Sequence, residues 1–110
     1  MTLQGKKYLD DILYSIKLIE SFMEDITTFE DYVSDLKTQS AVERQLGIIG
    51  EAANKYNKLQ LGNALQNTHQ IVGLRNRIIH AYDNINCSII WAIIKIHIPK
   101  LEKEVLTKLS

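Results

Sequence analysis

Leu74-Arg75-Asn76-Arg77-Ile78-Ile79-His80-Ala81-Tyr82-Asp83 sets an Arg, a His and a Tyr inside an apolar pattern of helical spacing. At about 100° per residue, Ile71, Val72, Leu74, Arg75, Ile78, Ile79 and Tyr82 share one broad face, with Asn76 and His80 stacked one turn apart at its edge. Polar groups capable of chemistry thus stand among residues expected to face a core. A guanidinium buried there alone would be strongly destabilising, so Arg75 is expected to reach a carboxylate, a phosphate or a second chain.

Outward from this stretch the chain reads as helix after helix. Toward the N-terminus, Val42, Leu46, Ile49, Ala53 and Tyr56 alternate steps of four and three from about Gln39, the seam of a long helix packed on a neighbour. Gly47 and Gly50 interrupt it. Each costs up to about 1 kcal/mol in a helix interior, so the pair suggests a surface where another backbone comes close. The polar residues from Asn57 to Thr68, with Gly62, mark a connection. Leu9, Ile12, Leu13, Ile16, Ile19, Met23 and Ile26 predict an amphipathic helix from Lys6 to about Asp25, with Lys7, Asp10 and Asp11 on its solvated side. Thr27 or Thr28, followed by Asp31, predicts a capped short helix or turn holding Phe29, Tyr32 and Val33.

Beyond the motif, Asp83 to Asn86 form a turn and cap cluster, and Ile89, Ile90, Trp91, Ile93, Ile94, Ile96 and Ile98 then make a segment apolar nearly all round. Such a helix is buried on several sides, in a core or between two chains. Pro99 is expected to kink or restart it, and Leu101, Val105, Leu106 and Leu109 continue a stripe. No strand pattern competes. The expectation is one all-α domain spanning 1–110: an antiparallel four-helix bundle with a short extra helix, forming a two-fold homodimer.

With 110 residues, 45% of them hydrophobic, the chain is large enough for its own core and small enough that oligomerisation would help it. A single Cys87, no run approaching the roughly 18 apolar residues of a membrane span and no signal-like start predict a reduced, cytoplasmic protein without a membrane segment. Net charge is zero, but residues 1–36 hold eight acidic and three basic side chains and residues 37–110 five acidic and ten basic. That polarity suits an anionic ligand or an acidic partner surface equally.

Other constellations are weaker. Asp10-Asp11 and Glu30-Asp31 lie near expected helix starts, where dipole and solvation account for them better than catalysis. His69 and His97 lack companions at metal spacing and no Gly-rich phosphate loop is present, so no metal and no cofactor is expected. Cys87 reads as a small helix-start residue and Trp91 as core or interface filling.

The residue types of the motif do complement one reaction. Cleaving RNA requires a 2′-hydroxyl to be deprotonated, a phosphorane stabilised and a leaving oxygen protonated, which a His and an Arg can do without metal. In that reading His80 is the acid/base, Arg75 the phosphate clamp, Asn76 the group that fixes the imidazole tautomer, and Tyr82 a phosphate-orienting or base-stacking residue. The pattern alone describes a buried hydrogen-bond network equally well.

Arg75-x4-His80-x-Tyr82 resembles the signature of the HEPN domain, in the HepT-like toxin branch of the HEPN and minimal-nucleotidyltransferase (type VII) toxin–antitoxin pairs. Two further blocks fit in order: 41–53, Ala-Val-Glu-Arg-Gln-Leu-Gly-Ile-Ile-Gly-Glu-Ala-Ala, and 91–101, which holds Trp91-Ala92-Ile93-Ile94-Lys95 and Ile98-Pro99-Lys100-Leu101. The stretch 65–70 departs from the Pro- and Trp-containing connector of that family. The resemblance implies an all-α bundle that dimerises, puts two motifs beside one cleft and acts as a metal-independent endoribonuclease on RNA. It also implies a partner, a small nucleotidyltransferase antitoxin that transfers AMP to Tyr82. The alternatives are a non-catalytic substrate-binding or regulatory subunit of a nucleotidyltransferase complex, or a purely structural helical partner. On a regular helix Arg75 and His80 point about 140° apart, a gap that a loosened helix end or a site shared by two chains would close.

Overall fold

A computed structural model describes residues 1–59, 61–80 and 86–110; at Leu61 and 75–80 it describes the helical course of the chain and not the side chains. Among these residues every regular element is helical: α1 (Leu3–Phe22), α2 (Phe29–Val33), α3 (Leu36–Leu59), α4 (His69–His80), α5 (Cys87–Ala92) and α6 (Ile98–Leu109). A 3-10 turn (Leu61–Asn63) follows α3, and a π turn (Ile93–His97) joins α5 to α6.

Local chemistry sets most of the helix starts. The Thr2 hydroxyl accepts from the Gly5 N–H and starts α1 three residues before the expected Lys6. Asp10 and Asp11 consequently sit in the second and third turns, paired with Lys6 and Lys7 four residues back, and not at a helix start. Thr28 caps α2 as expected, accepting from the Asp31 N–H at 3.1 Å. Asp35 holds the start of α3, its carboxylate accepting from the Thr38 N–H at 3.0 Å and the Thr38 hydroxyl at 2.7 Å. Asn86 caps α5.

Directions follow from the cross-links. The end of α3 meets the start of α4 through Asn57, and the start of α5 meets the start of α3 through the Cys87 thiol, which donates to the Gln39 side-chain oxygen at 3.4 Å. Tyr8 of α1 lines a shallow cleft with Lys55, Lys58 and Leu59, so α1 runs against α3 as well. The four main helices thus alternate in direction, with α5, the π turn and α6 acting as the fourth and α2 as the short extra helix. Leu9, Ile12, Ile16 and Ile19 of α1 and Val42, Leu46, Ile49, Ala53 and Tyr56 of α3 are almost fully buried, with Ile71 and Leu74 of α4 and Leu101 and Val105 of α6 closing the core.

The isoleucine-rich segment is more one-sided than its composition suggests. Ile90, Ile93, Ile94 and Ile98 enter the core, but Ile89 is 38% and Ile96 50% exposed. Trp91 is half-buried, with Phe29 edge-on at 5.8 Å, Tyr32 tilted at 5.9 Å and the Lys95 ammonium 4.7 Å above its ring. Pro99 accounts for the π turn: it has no N–H to offer the Lys95 carbonyl and its ring crowds that carbonyl, so the preceding turn widens. The helix changes winding there without stopping. No helix among the described residues is long and apolar enough to cross a membrane.

Candidate functional site

The helix that carries positions 75 to 80 of the motif is held at its start by a network of side-chain bonds. Thr68 is buried, and its carbonyl accepts from the Val72 N–H at 2.8 Å. Asn57 at the end of α3 uses both ends of its amide, accepting from the Leu65 N–H at 2.8 Å and donating to the Thr68 hydroxyl at 3.4 Å. From the other side, one oxygen of Glu104 accepts from the Gln66 N–H at 2.7 Å, and its second accepts from the Asn67 N–H and side-chain amide, each at 3.1 Å. Lys108 adds bonds to the Asn63 carbonyl and side-chain oxygen at 3.2 and 2.7 Å. A connection made of Asn, Gln and Gly thereby becomes a fixed platform between α3 and α6. Neither Asn57 nor Glu104 carries a local sequence signal for this role, since their partners lie 8–11 and 37–38 residues away.

From that platform α4 runs without a break to His80, carrying positions 75, 76 and 80 in its second half. The side chains of Arg75, Asn76 and His80, and Tyr82 altogether, lie outside the described residues. The backbone nevertheless answers one question left by the sequence. Positions 75 and 80 are joined by uninterrupted α-helix, which puts them about 7.5 Å apart along the axis and about 140° apart around it. No loosened turn between the two positions narrows that gap.

Around the helix, His69, Gln70, Gly73 and Leu74 line a cleft of about 340 Å³ with Ile89 and Ile93. A methyl group at Gly73 would meet nothing within 4 Å, so close packing does not demand glycine there. Near the start of α5, Gln39 donates to the Tyr32 and Val33 carbonyls at 2.8 and 2.9 Å while accepting from Cys87, tying α2, α3 and α5 together. Burial pushes the Tyr32 phenol well above its usual range, with the nearby Glu43 and Cys87 adding to the shift. Burial also raises the Glu43 carboxyl. The Tyr32 and Tyr56 hydroxyls have no hydrogen-bond partner among the described residues. No group of three or more His, Cys, Asp or Glu side chains that could hold a metal occurs among the described residues.

Residues 12–107 match the family model described as ribonuclease HepT-like. A "Probable ribonuclease HepT" of Thermococcus cleftensis is 38% identical over 103 residues, covering 88% of each chain. A candidate RNase of Methanocaldococcus jannaschii is 36% identical over 102 residues, 91% of this chain and 92% of that one. A candidate RNase of Caldanaerobacter subterraneus is 36% identical over 101 residues, 91% of this chain and 89% of that one. No solved structure matches significantly. An all-helical bundle, the three sequence blocks in order and a family match over nearly the whole chain converge, and the chain belongs to the HepT-like ribonuclease family.

Proposed function

We propose that this chain is the toxin of a toxin–antitoxin pair: a metal-independent endoribonuclease, one domain over residues 1–110, working as a cytoplasmic homodimer. The observation that carries the reading is the Arg75-x4-His80-x-Tyr82 motif, whose positions 75 to 80 lie on α4, inside the residues matched to a ribonuclease family. The descriptions of the relatives as ribonucleases name the reaction class. The 140° separation on an unbroken helix supports a site completed across two copies.

In that site the His80 imidazole of one copy takes the proton of a ribose 2′-hydroxyl. The freed oxygen attacks the adjacent phosphorus, and the bond from phosphorus to the 5′-oxygen breaks. The protonated His80 of the second copy gives its proton to that leaving oxygen, so the products are a 2′,3′-cyclic phosphate and a 5′-hydroxyl. Arg75 neutralises the charge that builds on the phosphorane, Asn76 fixes the imidazole tautomer, and Tyr82 orients the phosphate or stacks a base. The partner is a nucleotidyltransferase antitoxin. On it the Tyr82 oxygen attacks the α-phosphorus of a nucleoside triphosphate, loses its proton and displaces pyrophosphate, leaving AMP on the tyrosine. That adduct places negative charge and a nucleotide's bulk where RNA phosphate must bind.

Purified protein incubated with total cellular RNA tests this. Cleavage is expected with EDTA present, and Arg75→Ala and His80→Ala are each expected to lower the rate at least about a hundredfold with helical content unchanged. Mass spectrometry of protein co-produced with the transferase should find AMP-sized increments on the Tyr82 peptide. Unfolding by either substitution would instead indicate a buried structural network.

A further inference from the structure

The first half of α4 borders a cleft in line with the motif. Positions 69, 73, 76 and 80 recur at steps of four, three and four, and fall within about 60° of one another around the helix. The last two are the positions of Asn76 and His80. The first two, His69 and Gly73, line the cleft of about 340 Å³ together with Gln70, Leu74, Ile89 and Ile93. Its floor is apolar: Leu74 and Ile93 are buried, and Ile89 is 38% exposed at its wall. Its rim is polar, and the exposed His69 and Gln70 side chains make no hydrogen bond or ion pair among the described residues. Gly73 keeps the mouth open, since nothing lies within 4 Å of where its Cβ would stand.

We infer that this cleft receives a base of the RNA strand, from a nucleotide flanking the bond cut at His80, and that the Gln70 amide reads the edge of that base. The inference rests on the proposed function and adds what decides where the strand is cut. An apolar hollow of this size with a few polar groups at its rim is the make-up of a small-ligand site. An unpaired base matches it, with two faces that pack on apolar side chains or stack on an imidazole and an edge of donors and acceptors. The Gln70 amide offers a donor and an acceptor to that edge. Gly73 precedes position 80 by seven residues, about 10.5 Å along the axis, and the cleft extends from Gly73 away from the motif. The base it holds is therefore that of a neighbour of the reacting ribose.

The surface beyond the start of α4 favours a nucleic-acid strand over an apolar peptide. Asn67, two residues before His69, borders a second cleft of about 360 Å³ with Lys100, Lys103, Glu104 and Lys108. Lys100 and Lys103 are exposed and form no ion pair among the described residues. The one acid, Glu104, has its carboxylate engaged by the Gln66 and Asn67 donors. Unpaired positive charge next to a base-sized hollow suits the phosphates of the same strand.

Binding of short 2′-O-methyl RNA oligonucleotides tests the cleft, because blocking the attacking oxygen prevents cleavage; the same backbone with abasic sugars is the control. The wild type should bind the base-bearing strand at least about tenfold more tightly than the abasic one. Gly73→Leu fills the cleft and should abolish that preference without weakening abasic binding, with helical content retained because leucine favours helix over glycine. Gly73→Ala should keep the preference. Gln70→Ala should level the differences among the four bases and, in total RNA, broaden the base preference at one position beside the cut. Lys100→Glu with Lys103→Glu should weaken both strands alike and lower the salt dependence of binding. Equal binding of base-bearing and abasic strands by the wild type overturns the inference, as does a preference that neither Gly73→Leu nor Gln70→Ala moves. RNA bound with the expected preferences but left whole by the wild type overturns the proposed function and keeps the cleft. His80-dependent cleavage with a cut-site profile indifferent to both substitutions overturns the cleft and keeps the function. Should Gly73→Leu not fold, the Ile89 and Ile93 methyl resonances of the wild type give a second readout: they should shift with the base-bearing strand and not with the abasic one, and resonances that stay in place overturn the inference.

Discussion

Two carboxylates, Asp35 just ahead of α3 and Glu43 within it, respond to folding in opposite senses. Asp35 is held below the usual carboxylate range chiefly by the Thr38 backbone N–H, then by the Thr38 hydroxyl, so its contribution is full above its unfolded value near 3.9 and fades as pH falls through the lower folded value. Glu43 is raised by burial, so the folded chain holds its proton more tightly and stability declines as pH rises from about 4.3 through the folded value. Glu43→Gln is therefore expected to raise the melting temperature at pH 7 and to change little at pH 3. Asp35→Ala should lower it at pH 7, by an amount that shrinks in strong acid; thermal melts at the two pH values check both signs. At this scale the sequence is readable where a residue acts on its near neighbours, as Thr28 does on Asp31. It is silent where burial sets the chemistry, because nothing in Ala41-Val42-Glu43 shows how much of the carboxylate water can reach.

At the scale of elements, the seam of α3 and the stripe of α1 were legible because one helix face must satisfy one core, and their spacing repeats that demand. The boundaries of the 57–68 connection were not. Asn57 reads as a loop residue by type, yet it lies inside α3 and spends its amide on the segment that follows. The isoleucine field is apolar nearly all round in sequence, and within one chain Ile89 and Ile96 remain open while Ile90, Ile93, Ile94 and Ile98 are buried. Pro99 announced a disturbance, and only the packing decided that it would be a widened turn and not a break. Glu104 is the sharpest case, an acid on a surface stripe that bonds three donors of a distant connection. Glu104→Ala is expected to cost about 1–3 kcal/mol, and Glu104→Gln less, because an amide oxygen still accepts. Hydrogen exchange at the Gln66 and Asn67 amides should quicken in the alanine variant.

The whole molecule measures 42 × 28 × 18 Å. Its shortest dimension is about two helix spacings of 8–10 Å, so helices have one covered side and one open side. The charge asymmetry becomes spatial in the fold: the acid-rich first third is α1 and α2, while most of the basic side chains lie on α3 through α6. What the sequence leaves open is the arrangement of the site, because positions 75 and 80 are five residues apart in the chain yet about 140° apart around the helix between them. The Glu104 clamp also has a meaning in time. Its bonds close a loop of 37–38 residues, and the chain entropy lost in closing it favours their forming late. Glu104→Ala is therefore expected to leave the folding rate nearly unchanged and to speed unfolding. In stopped-flow measurements only the unfolding limb would move. The clamp acts as a latch on the way out of the native state: it governs how long the start of the motif helix stays closed, not how soon it first closes.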